Sequence, residues 1–160
     1  MSLRAIGVAA ALLAWAGGAG CSMAQDVDPN HWIDPTHAPY QLPGQIKWVK
    51  HGDASEQAIL AGDPDKPGIY VLLIRWLPHH MSRPHFHSTD RYVTVLSGTW
   101  WISTSDVYDP DRTVPIPAGS FVEDVAGKVH YDGAKDEPCV IEIAGMGPVV
   151  TKSAERKPAP

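Results

Sequence analysis

The segment RPHFHSTDRYVTVLSG, residues 83–98, holds two histidines one residue apart, His85 and His87, ahead of a β-branched run that ends at Gly98. On a strand, residues i and i+2 project from one face. The two imidazoles would then stand together, with Phe86 on the opposite side. Paired neutral imidazoles are half of a transition-metal site. A bare His-x-His also describes two exposed loop histidines, and the pair alone does not choose between them. Arg91 follows four residues after His87, and a guanidinium has no lone pair to offer a cation. If its charge stood roughly 6 Å from a divalent ion at an effective dielectric of about 20, the repulsion would be on the order of 5 kcal/mol. Either Arg91 turns away, or an anion stands between it and the ion, or no metal binds.

The spacing in PHFHSTDRYVTVLSG resembles the first conserved motif of the cupin superfamily: His-x-His, three or four intervening residues, glutamate, six intervening residues, glycine. Gly98 fills the glycine place and Arg91 the glutamate place. PIPAGSFVEDVAGKVHYDG resembles the second motif, with Pro117, Gly119 and His130 in its proline, glycine and histidine places. The resemblance spans roughly residues 69 to 145. It implies a jelly-roll β-barrel, and His85, His87 and His130 as ligands of one divalent transition metal: Fe, Mn, Zn, Ni or Cu.

The departure at position 91 shapes the rest of the expected site. Asp90, next door, would face the other side of a regular strand unless the backbone bulges. Glu142, in CVIEIAG, is a candidate partner for Arg91 if it faces inward, and an anionic substrate is the other, so Arg91 and Glu142 are the candidate substrate-binding residues. In the second case Arg91 would fix a substrate carboxylate by a charge-assisted pair. The implied activity is a dioxygenase-like oxidation or a metal-assisted isomerisation of a small organic acid. A non-catalytic barrel that binds or senses a small molecule is the alternative, since fold does not dictate function. No catalytic residue beyond the metal set is assigned.

Elements that could position such a site are short strands. Gly and Pro (14 and 15 residues) are too frequent for a helical bundle and fall between β-rich runs. Those runs are QIKWVK, EQAILAG, YVLLIRW, RYVTVLSG, TWWIST, TVPIPAG, FVEDV and CVIEIAG, rich in Val, Ile, Tyr, Trp and Thr. No stretch keeps apolar residues at helical spacing for long, so the chain reads as all-β, a sandwich or barrel. Of the adjacent Trp100 and Trp101, one faces inward and packs in the core. Tyr92, Tyr131 and Asp132 read as surface residues, as do His31 and His37. His79 and His80 precede the motif and are not expected to ligate. Cys139 reads as a small buried apolar residue.

The formal net charge of −5 supplies no basic face for nucleic acid. Residues 1–24 have the three-part form of a secretory signal peptide, with Arg4, an apolar stretch from Ala5 to about Ala16 and a Ser22-Met23-Ala24 ending. Cleavage after Ala24 is expected, giving a periplasmic or secreted protein. The rival is cleavage before Cys21 with lipidation of that residue, which would tether the chain to a membrane. Residues 25–44, rich in Pro, Asp and His, read as an extended arm, 45–150 as the cupin-like domain and 151–160 as a flexible tail. Self-association as a homodimer is a further open expectation.

Overall fold

The computed structural model describes residues 33–157. The signal segment, Cys21 and His31 lie outside them, as does the first part of the arm. Two compact units divide the chain between Tyr40 and Gln41. In the first, residues 33–40 hold an exposed turn, closed by hydrogen bonds from Thr36 N and Oγ1 to Asp34 Oδ1 at 2.8 and 2.7 Å. His37 is exposed there.

The second unit is almost entirely β, with no α-helix among its described residues. Its strands are β1 (Val49–His51), β2 (Ser55–Ala61), β3 (Gly68–Trp76), β4 (His80–Met81), β5 (His85–His87), β6 (Arg91–Ser97), β7 (Thr99–Ser103), β8 (Val114–Pro117), β9 (Phe121–Asp124), β10 (Tyr131–Ala134), β11 (Cys139–Gly147) and β12 (Thr151–Ser153). They form three antiparallel sheets, ordered β1-β2-β3-β11-β6-β9, β4-β10-β7-β8 and β12-β5. This is a jelly-roll-type arrangement in which distant strands become neighbours.

Alternation along the central strands explains their placement. On β6, Val93 and Val95 are buried, while Tyr92 and Leu96 are exposed. On β11, Cys139, Ile141 and Ile143 are buried, and they pack with Tyr70, Leu72, Ile74 and Trp76 of β3 in one core. Period-2 burial of this kind fixes register, because a one-residue slip would turn the apolar set outward.

Three expectations give way. Residues 151–160 do not begin as a tail: Thr151–Ser153 pair with β5, setting Thr151 opposite His87 and Ser153 opposite His85. Tyr131 and Asp132 are buried strand residues. Tyr131 donates its hydroxyl hydrogen bond to Asp109 O at 2.7 Å, and Asp132 accepts from Trp100 Nε1 at 2.8 Å and Ser82 Oγ at 3.0 Å. Those bonds satisfy both groups away from water. Trp100 is thus the inward member of its pair, and Trp101 lies under the Lys135 ammonium, 4.1 Å from the ring centroid.

Candidate metal centre

Strand β5 delivers His85 and His87 to the interior, and an isolated bridge between His85 and His130 ties β5 to the start of β10. Mutual N–H···O bonds of 2.9 Å join the His85 and His130 backbones. One ring nitrogen from each of His85, His87 and His130 lies within 4.8 Å of the others. His87 and His130 are only 4% and 5% exposed, so the cluster is not a chance meeting of surface side chains.

The outer ring nitrogens are all engaged by oxygen. His85 Nδ1 lies 2.7 Å from Arg83 O, a carbonyl that can only accept, so this nitrogen carries the proton. His87 Nδ1 is 3.0 Å from Thr151 Oγ1. His130 Nδ1 is 3.3 Å from Lys128 O and 3.3 Å from Asp124 Oδ1. The Nε2 atoms of His85 and His87 face each other 3.0 Å apart, and the Thr151 hydroxyl can donate to or accept from His87 Nδ1. Two facing lone pairs at that distance repel unless a proton or a metal cation lies between them. Burial, with the Arg91 charge and the other two histidines, pushes His87 down to about 2, and burial also lowers His85. Both rings are therefore neutral at neutral pH, and a set of neutral imidazoles is one that suits a divalent transition metal.

Arg91 projects to the same interior, and the anion that it meets belongs to the chain. Asp124 of β9 is its cross-strand partner. Arg91 Nε donates to Asp124 Oδ2 at 2.7 Å, and Nη2 lies 2.6 Å from the same oxygen in an ion pair. The expected role of Arg91 toward a substrate carboxylate thus meets an internal carboxylate already in place. Glu142 is not that partner. It alternates with buried Ile141 and Ile143, which line the interior cavity, and so faces the other side of β11. Asp90 is exposed, accepting from Ala126 N at 2.7 Å. His79 and His80 are exposed as well, and His80 Nδ1 bonds Pro78 O at 2.7 Å.

The sequence alone does not mark Asp124 as a site residue, although FVEDV reads as a strand. The only signal was its place within the second motif, between Gly119 and His130. Beside the histidines opens a cavity of about 690 Å³, its walls including Tyr70, Leu72, Ile74, Trp76, Val93 and Trp100, with His85, His87 and Arg91 on one side.

No protein-family model and no curated protein matches the chain. Among solved structures it is similar to the polyketide cyclase RemF from Streptomyces resistomycificus, at 19% identity and TM-score 0.56, covering 69% of this chain and 82% of that one. It is also similar to a sugar phosphate isomerase from a cupin superfamily from Silicibacter pomeroyi, at 17% identity and TM-score 0.55, covering 74% and 83%. An RmlC-like cupin from Shewanella frigidimarina matches at 10% identity and TM-score 0.54, covering 68% and 89%. Identities this low speak for the fold alone.

Proposed function

Starting from the cupin fold that this chain adopts, we propose an exported, metal-dependent enzyme that holds one divalent transition metal on His85, His87 and His130. The observation that carries the reading is the convergence of three ring nitrogens within 4.8 Å, with each Nδ1 beside an oxygen. A bound ion would supply Lewis acidity toward a substrate oxygen, or a position for dioxygen, in an isomerisation or an oxidation. The chain's own part is to keep the imidazoles neutral and to hold the substrate beside them in the cavity. That a cyclase and an isomerase share the fold supports an enzyme.

Cavity size refines the substrate class. At about 690 Å³ it lies well inside the range of drug-sized ligand pockets, roughly 300–1,000 Å³. A small organic acid would leave most of it unfilled. The walls are mixed, with Leu72, Ile74 and Val93 beside Gln57, Ser82 and Asp132, and suit an organic molecule that carries several polar groups, one of them an oxygen directed at the histidines. An anionic oxygen there, enolate or carboxylate, would be attracted by the ion, since the charge of Arg91 is already matched by Asp124. A second reading, a binding barrel without turnover, is favoured by the absence of a glutamate at position 91.

Elemental analysis of the purified protein tests the proposal. About one divalent metal per chain is expected, with His85→Ala, His87→Ala and His130→Ala each losing most of it while the β circular-dichroism spectrum persists. Wild-type metal content in all three variants would overturn the assignment.

A further inference from the structure

Asp124 and Arg91 sit opposite each other on β9 and β6, their side chains only 5% and 15% exposed. Arg91 Nε and Nη2 both meet Oδ2, which also lies 3.9 Å from His87 Nε2, while Oδ1 lies 3.3 Å from His130 Nδ1, so the carboxylate stands between the guanidinium and two of the imidazoles. His130 Nδ1 has the Lys128 carbonyl at 3.3 Å as its other contact. The Lys128 carbonyl can only accept, and the nearby Asp124 carboxylate favours positive charge at the same nitrogen, so the proton sits on Nδ1 and the His130 Nε2 lone pair is left for the cluster.

We propose that Arg91 and Asp124 work as one neutral unit. Asp124 is the positioning residue that favours the Nδ1–H tautomer of His130, and Arg91 anchors Asp124 and is not a metal ligand. This rests on the metal reading above for its purpose, though not for its geometry. It accounts for an arginine at a position whose charge would otherwise oppose a cation. With Asp124 between them, the pair adds no net charge to the site. Each member then depends on the other: removing Asp124 leaves a buried guanidinium unpaired beside the imidazoles. Removing both leaves the site neutral again.

Two measurements on the full mature chain test the unit. In metal-free protein, histidine 15N NMR should show His130 protonated at Nδ1. Protonation at Nε2 would overturn the positioning role, whatever the protein's behaviour toward metal. Zn2+ titration calorimetry then reads the charge coupling. Asp124→Asn should weaken Zn2+ binding at least about 100-fold, whereas the double variant Arg91→Met/Asp124→Asn should return to within about tenfold of wild type. An Asp124→Asn variant that binds like wild type overturns the proposal. So does a double variant as weak as the single one, because the carboxylate would then act as a ligand in its own right. Wild-type protein that takes up no Zn2+ or other divalent metal sinks the metal reading instead. The pair is then judged by the NMR result and by urea denaturation, in which the double variant should recover more than half of the stability lost in Asp124→Asn.

Discussion

His87 shows what a buried imidazole contributes to such a site and what it costs. Burial, with the Arg91 charge and the other two histidines, pushes it down to about 2. It therefore stays neutral, with a lone pair available, well into the acid range. The unfolded chain has no such restraint and binds a proton near pH 6.5. The folded value is depressed, so as pH falls through about 6.5 the unfolded state gains a proton that the folded state refuses, and stability declines toward pH 2. His85 is lowered by burial as well and acts in the same sense. Metal-free protein should melt at a lower temperature at pH 5 than at pH 7, and His87→Gln should flatten that slope, as scanning calorimetry at the two pH values would read. Equal melting temperatures in the wild type would mean that the imidazole reaches water. The histidines were legible because motif spacing names them without any knowledge of packing. Asp124 was not, since its meaning depends on which strand lies beside β6, and that neighbour comes from 33 residues downstream. Glu142 was misplaced for a reason the sequence did contain: Ile141 and Ile143 on either side set the parity of β11 and turn position 142 outward.

The strands themselves followed closely from β-branched and aromatic runs between Gly and Pro, and the exceptions share a cause. β10 reads YDGA, in which Asp-Gly has the look of a turn. It is a strand because Gly133 must lie against β4: a Cβ there would come within 2.2 Å of His80 O. β5 and β12 are three residues each and pair across 64 residues, too short and too distant for a local pattern. The two motif glycines separate two physical demands. Gly98 has φ +69° and a Cβ added there would lie 2.3 Å from Pro138 O, so both conformation and space require glycine. Gly119 has φ +87° with nothing within 4 Å. Gly119→Ala should cost about 1–2 kcal/mol, the penalty of left-handed backbone. Gly98→Ala should cost more than about 3 kcal/mol, because a backbone carbonyl cannot move aside cheaply. Urea denaturation of the two variants compares them directly, and equal losses would show that the Pro138 segment yields.

For the whole molecule, export and covalent chemistry have to agree. Cleavage after Ala24 would leave Cys139 as the mature chain's one cysteine. An exported domain commonly relies on disulfides, but a lone cysteine cannot form one within the chain. Here the core does that work: Cys139 is fully buried among Val95, Trp100, Ala134 and Ile141. Burial pushes its thiol up to about 12, so at neutral pH it is neither a thiolate nor open to oxidants. Such a chain can cross into an oxidising compartment without misjoining to another protein, and reductant should not alter its stability. The expected product of the proposed export is therefore residues 25–160 with one thiol, silent toward a maleimide until the protein is unfolded. Intact-mass spectrometry of the native protein, before and after labelling in urea, reads both points. A mass that retains residues 1–24 would overturn the cleavage, and a diacylglyceryl group on Cys21 would move the chain to a membrane surface. Labelling of the folded protein would mean that the strand carrying Cys139 opens, and with it the β3–β11 pairing on which the cavity wall is built.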